Sequence, residues 1–175
     1  MSLFAARSIA ARAGARLPRC APTLATAAAS RRFISIEPMY TAEATATGGR
    51  NGRAVSSDKV VNVALTLPKE LGGAGAAGKT NPEQLFAAGY SACFQGAMAA
   101  AAGGMKVDLP ESNTVTAAVH IGKHPEGGFG LGVELRVNAP GVDKATLKKV
   151  VEQAHAICPY SRATRGNIDV KLVIA

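Results

Sequence analysis

"TNPEQLFAAGYSACFQGAMAAAA" occupies residues 80–102, and its reading decides how the rest of the chain is arranged. Asn81 or Thr80 can cap a helix, Pro82 suits its first turn, and Thr80 to Glu83 has the spacing of a capping box. From Leu85 to Ala102 every residue is uncharged and nearly all are apolar or small, with Gly89, Ala92 and Gly96 allowing a neighbour to approach closely. A helix without a polar face is buried all round. A chain of this size most easily completes such burial with a second subunit. Inside the segment stand one carboxylate, Glu83, and one thiol, Cys93. Ten residues of helix put about 15 Å of rise between them, so they cannot touch through one straight helix.

Working outward, residues 39–48 alternate like a strand, "GGRNGR" at 48–53 is a turn, and "KVVNVALTL" at 59–67 is a second strand. Downstream, residues 113–123 and 128–139 alternate again and are joined as a hairpin through "HPEGG". "VDKATLKKVVEQAHAIC" (142–158) is an amphipathic helix with Leu147, Val150, Val151, Ala154 and Cys158 on its apolar side, and Pro159 stops it. Residues 167–175 end the chain as a strand. The mixture lacks regular βαβ alternation, which predicts an α+β domain with a largely antiparallel sheet.

Of 175 residues 47% are hydrophobic, enough for one domain with a real core. The net charge of +8 is concentrated at one end: residues 1–36 hold six arginines and no acid, leaving 14 Lys+Arg against 12 Asp+Glu over residues 37–175. That distribution argues against a nucleic-acid partner for the domain. The Arg-, Ala- and Ser-rich, acid-free leader has the features of a mitochondrial transit peptide, with "RRFIS" at 31–35 resembling a cleavage site. The expected organisation is a leader over 1–36 and one domain over 37–175, in the mitochondrion and with the matrix as its destination. No run of 18 apolar residues suggests a membrane span, so stable membrane insertion is not expected.

Cys20 leaves with that leader, and Cys93 and Cys158 remain. Two cysteines 65 residues apart make neither a disulfide scaffold nor a zinc site. They are either inert core residues or a redox pair. An unperturbed thiol is only a few per cent ionised near neutral pH, so chemistry at Cys93 needs a nearby cation. Its own helix offers none, and the remote candidates are Arg50, Arg53, Arg162 and Arg165. His155, three residues before Cys158, suggests a nucleophile and base, or simply a partly exposed helix-end histidine; His120 and His124 flank a strand end. "GAGAAGKT" at 73–80 matches the P-loop pattern, but five residues separate it from the preceding strand and Pro82 falls where a phosphate-binding helix needs its amides.

Together, "YTAEATATGGR" (40–50), "NPEQLFAAGYSACF" (81–94), "GGFGL" (127–131) and "CPYSRATRGNIDV" (158–170) closely resemble the organic hydroperoxide resistance branch of the OsmC/Ohr superfamily. The resemblance spans about residues 38–175, and only the leader is foreign to the mainly bacterial pattern, which suggests a eukaryotic member. It implies an OsmC-like fold, with largely antiparallel sheets wrapping a buried central helix in an intertwined homodimer. It also implies a thiol peroxidase for organic and fatty-acid hydroperoxides that binds no metal, haem or flavin. By motif, Cys93 is peroxidatic, Cys158 is resolving and closes a disulfide with it, Arg50 stabilises the thiolate and Glu83 orients Arg50. Lipoyl dithiols, as dihydrolipoamide or on lipoylated proteins of dehydrogenase complexes, are the implied reductant. The other readings are an OsmC-like dimer acting as a redox sensor or binding module without turnover, and an NTPase using Lys79.

Overall fold

A computed structural model describes residues 36–175, so the leader and Cys20 lie outside the described residues. Residues Tyr40–Ala175 form one compact unit. Its elements run β1 (Ala44–Thr47), β2 (Arg53–Ser56), β3 (Asn62–Ala64), α1 (Pro82–Met105), β4 (Thr114–Lys123), β5 (Phe129–Asn138), α2 (Lys144–Ile157), α3 (Pro159–Thr164) and β6 (Asp169–Ile174). Short 3₁₀ turns cover Gly49–Asn51 and Lys69–Leu71.

Two three-stranded sheets result, β1-β2-β3 and β4-β5-β6. The first is antiparallel throughout. In the second, β4 and β5 form a ten-pair antiparallel ladder from Thr114↔Asn138 to Lys123↔Phe129, while β6 lies parallel to β5. A parallel pair needs a long crossover, and α2 with α3 supplies it. The fold is therefore α+β with largely antiparallel sheets, as expected, but it contains one βαβ unit. The first sheet is also shorter than its sequence suggests. Residues 39–43, 59–61 and 65–67 stay outside it, and residues 53–56, of which only Arg53 is assigned in the sequence reading, as the end of a turn, form the middle strand.

Helix α1 lies across β4 and against α2. Tyr90, Phe94, Ala97, Met98, Ala101 and Ala102 are its buried positions. They meet Val133, Leu135 and Val137 of β5 and Leu147, Val150, Val151 and Ala154 of α2 in a single core. Asn81 is the cap: its Oδ1 accepts from the Gln84 N–H at 2.9 Å. The expected capping box between Thr80 and Glu83 does not form. Thr80 Oγ1 donates to Gln84 Oε1 instead, which leaves the Glu83 carboxylate free for another partner.

By length and composition α1 is apolar enough to cross a membrane, contrary to the sequence expectation, but its packing makes it the core helix of this domain. The burial expected on every side of α1, with a second subunit to complete it, is only partial within one chain. Ala88, Ala92, Gln95, Gly96, Ala99, Ala100, Gly103 and Gly104 are exposed within one chain. These small residues share one face, because steps of four and three recur along it.

Candidate active site

Two side-chain pairs from the sequence analysis come together, one at each end of the first half of α1. Cys93 faces α2, and Cys158 stands where α2 ends and α3 begins. A residue before proline is pushed out of the helical region. Cys158 accordingly takes φ −58° and ψ 126° ahead of Pro159, its N–H still donating to Ala154 O at 2.8 Å. Pro159 ends α2 as expected and also opens α3, an element the sequence reading does not contain. The resulting kink sets the Cys158 sulfur 3.5 Å from that of Cys93. Both are free thiols, Cys158 fully buried and Cys93 half-buried.

Burial pushes the Cys93 thiol above its ordinary value, the Tyr160 backbone N–H pulls it back, and Cys158 adds to the rise. No guanidinium is among these influences. Phe86, two helical turns before Cys93, stacks on Tyr160 with ring centroids 6.0 Å apart, and Tyr90 tilts against both rings. Gly89 makes room for this cluster, since a β-carbon there would sit 3.1–3.2 Å from the Tyr160 ring.

The second pair is Arg50 and Glu83, joined by two parallel hydrogen bonds of 2.9 and 2.7 Å from the guanidinium. Such a fork is the strongest geometry open to these groups. It holds the Glu83 carboxyl below its ordinary value and raises Arg50 further. The Arg50 turn is rigidly seated: Asn51 Oδ1 accepts from the Leu67 N–H, and Gly52 O accepts from the Leu65 N–H. Gly52 is pressed against the Thr47 carbonyl so closely that no β-carbon fits. Arg53, the rival for Arg50's role, bonds the Asn62 side chain on β3. Beside the ion pair lies a cavity of about 340 Å³ whose other walls include Phe86, Ile121, Phe129 and Leu131.

The two pairs do not meet within one chain, as the length of helix between Glu83 and Cys93 requires. The histidine reading fails: the His155 ring lies against Phe94 and makes no hydrogen bond to either sulfur, and its buried Nδ1 has no partner. Burial, with Arg165 nearby, depresses that imidazole below its ordinary value. The P-loop reading fails too. The amides of Gly73, Gly75, Ala76, Lys79 and Thr80 donate to oxygens of this chain, so five of the eight amides of the motif are not offered to a phosphate. Among the described residues no three His, Cys, Asp or Glu side chains are grouped to hold a metal ion.

The OsmC-like protein family matches residues 73–173. An organic hydroperoxide resistance protein of Xanthomonas axonopodis pv. citri is 61% identical over 137 residues, covering 78% of this chain and 95% of its own. Bacillus subtilis OhrA, of the same description, is 43% identical over 140 residues, 79% of this chain and 98% of the relative. The crystal structure of the Bacillus subtilis organic hydroperoxide resistance protein OhrB superposes with a TM-score of 0.73 at 42% identity, covering 79% of this chain and all of that one. An organic hydroperoxide resistance protein from Legionella pneumophila gives 0.74 at 45% identity, over 79% and 99% of the two chains. Across nearly their whole length, then, these bacterial proteins share the helix that carries Cys93 and the sheet that supports it, and the chain belongs to the OsmC-like family, in its organic hydroperoxide resistance group.

Proposed function

We propose that this protein is a cysteine-based peroxidase that reduces organic hydroperoxides to alcohols. The observation that carries the reading is the 3.5 Å separation of two free sulfurs that lie 65 residues apart in sequence. The Cys93 thiolate attacks one peroxide oxygen, the O–O bond breaks, and the departing alkoxide takes a proton to become the alcohol. Cys93 is left as a sulfenic acid. The Cys158 sulfur then attacks it, a disulfide forms and water leaves. A dithiol restores both thiols and becomes a disulfide itself. We assign that step to lipoyl dithiols, free or on lipoylated proteins of dehydrogenase complexes. The acid-free, arginine-bearing leader supports a mitochondrial address, where such proteins are abundant.

Attack at neutral pH requires a cation at Cys93, because burial alone raises its thiol. The fork-bound Arg50 is that cation in this reading, oriented by Glu83, and the roughly 15 Å of helix rise between Glu83 and Cys93 supports its coming from a second copy of the chain. A homodimer also covers the exposed small-residue face of α1. The apolar cavity beside Arg50 and Glu83 suits the alkyl part of a hydroperoxide better than it suits hydrogen peroxide.

Hydroperoxide consumption with dihydrolipoamide as sole reductant tests the proposal. Sustained turnover is expected with the wild type, none with Cys93→Ser, and with Cys158→Ser no disulfide but further oxidation of Cys93 to the sulfinic acid. A mass loss of two hydrogens after one equivalent should map to a disulfide between residues 93 and 158. Turnover by the Cys93→Ser protein would overturn the reading. Oxidation of the wild type that stops after one equivalent, with no reset by any dithiol, would favour the sensor alternative.

A further inference from the structure

The Cys93 and Cys158 sulfurs stand 3.5 Å apart, and a disulfide needs about 2.04 Å, so the second step must close roughly 1.5 Å. Beside the Cys158 segment lies a buried set of hydroxyls that the peroxidase chemistry does not use. Tyr90 and Ser161 are fully buried and Thr164 nearly so. The Tyr90 hydroxyl, on α1, lies 2.9 Å from Ser161 Oγ and 3.3 Å from Thr164 Oγ1, both on α3. Thr164 Oγ1 in turn donates to the Tyr160 carbonyl at 3.0 Å.

One orientation uses each proton once: Ser161 donates to Tyr90, Tyr90 to Thr164, and Thr164 to the Tyr160 carbonyl. In that orientation the chain of hydrogen bonds ends on the Tyr160 carbonyl, two residues beyond Cys158, with the Ser161 carbonyl also within reach of Thr164 Oγ1 at 3.2 Å. α3 is also tied to the end of α2, Arg162 donating to Ala156 O and Arg165 to His155 O. Those two contacts are exposed, whereas the hydroxyl set is closed to water. It is the buried polar tie between the helix that carries Cys93 and the helix that begins at Cys158.

Resting on the peroxidase reading, we propose that the Tyr90 hydroxyl is a positioning group for the resolving step, keeping Cys158 close enough to capture the Cys93 sulfenic acid before a second hydroperoxide does. The competition is between an intramolecular and a bimolecular reaction. Capture forms the disulfide and releases water, while a second hydroperoxide turns the sulfenic acid to sulfinic acid and yields another alcohol, ending the cycle. Intramolecular capture wins only while the reacting atoms stay near contact. Loosening α3 from α1 therefore shifts the partition toward inactivation.

The experiment is rapid mixing of the wild type and Tyr90→Phe with an organic hydroperoxide, following sulfenic acid and disulfide, with mass analysis after turnover. Tyr90→Phe keeps the ring and removes the tie. Disulfide formation is expected to slow about tenfold, as loosened near-contact geometries do, while consumption of the Cys93 thiolate falls by at most about threefold. Sulfinic acid on Cys93 should then accumulate at about one tenth of the hydroperoxide concentration that the wild type needs. Thr164→Val cuts the same chain at its other end and should reproduce this partition, which keeps the test decisive should Tyr90→Phe not fold. Val137→Ala, which loosens the core from β5, should lower thermal stability and leave the partition unchanged. A foldable Tyr90→Phe or Thr164→Val protein that closes its disulfide at the wild-type rate overturns the inference alone. A wild type that forms no disulfide between residues 93 and 158 overturns the peroxidase reading beneath it.

Discussion

In the proposed mechanism, the Arg50–Glu83 fork determines which group controls the pH dependence of peroxide attack. Glu83 is held below its ordinary value by Arg50, so its contribution is complete above the unfolded carboxylate value of about 4.3 and is lost only as pH falls through the lower folded value. From about pH 5 upward the fork is constant, and the rate of peroxide attack should follow the ionisation of Cys93 alone. Since burial raises that thiol, removing the guanidinium leaves nothing to offset it. Arg50→Ala should therefore lose about a hundredfold in rate at neutral pH and recover as pH rises, because the raised thiol then ionises without a cation to favour it. Arg50→Lys keeps the charge but not the fork, and Glu83→Gln keeps the shape but not the charge; each should lose about tenfold. Stopped-flow rates across pH check all three, and a loss independent of pH would show that Arg50 does not act through the thiolate. Arg50, Glu83, Cys93 and Cys158 are legible in the sequence through the family resemblance of the motifs "TGGR", "NPEQ", "YSACF" and "CPYS". The Tyr90, Ser161 and Thr164 hydroxyls are not, because hydroxyl partners 71 and 74 residues apart leave no local pattern.

Elements that carry their own signal are the ones the sequence displays. Asn81 caps α1 through Gln84 N–H, and Asp143 caps α2 through Thr146 N–H at 3.0 Å. Replacing either with alanine should cost about 1 kcal/mol, read as a lower midpoint in chemical denaturation. Asn81→Ala should in addition weaken peroxide attack, because Glu83 is the next residue but one and the fork depends on how that first turn is seated. Asp143→Ala should leave the peroxide step alone. A sharper test of packing is Gly89→Ala, whose new methyl meets the Tyr160 ring. Either the ring shifts and the stack with Phe86 is disturbed, or α3 moves away from α1. The near-ultraviolet tyrosine signal should change while helix content does not. Long periodic segments such as α1, α2 and the β4–β5 hairpin are readable because an amphipathic or small-residue pattern repeats over ten or more residues. β2 and α3 are not, for physical reasons. Four residues of β2 take their strand identity from neighbours on both sides rather than from alternation, and Pro159 carries a helix-stop signal whether or not another turn follows. The parallel pairing of β6 with β5 is likewise a choice among partners, which no local period records.

At the scale of the molecule, two incomplete features require the same completion. The small residues of α1 from Ala88 to Gly104 are exposed in one chain, and Cys93 has no cation of its own. The proposed two-fold homodimer would supply both, since in a symmetric pair whatever one subunit gives the other it also receives. In the proposed arrangement each complete site holds Cys93 and Cys158 from one subunit with Arg50 and Glu83 from its partner. Mixed dimers test this without a structure. Arg50→Ala protein lacks the guanidinium and Cys93→Ser protein lacks the nucleophile, so each is inactive as a homodimer. In a mixed dimer with shared sites, the cysteine of the first faces the arginine of the second, and one of the two sites is whole. Random reassembly after joint denaturation and refolding makes half the dimers mixed, so about one quarter of wild-type turnover should return. If each chain serves itself, every site in the mixture lacks one group and no activity returns. Disrupting the α1 face, for instance with Ala92→Arg, should abolish the rescue and the wild-type reaction together, because a separated chain keeps its sulfurs and its fork but about 15 Å of helix apart. Size-exclusion chromatography read beside the activity distinguishes that outcome from simple unfolding: a folded monomer with both pairs intact and no peroxidase rate is the expected product, and a fully active monomer would place Arg50 within reach of its own Cys93.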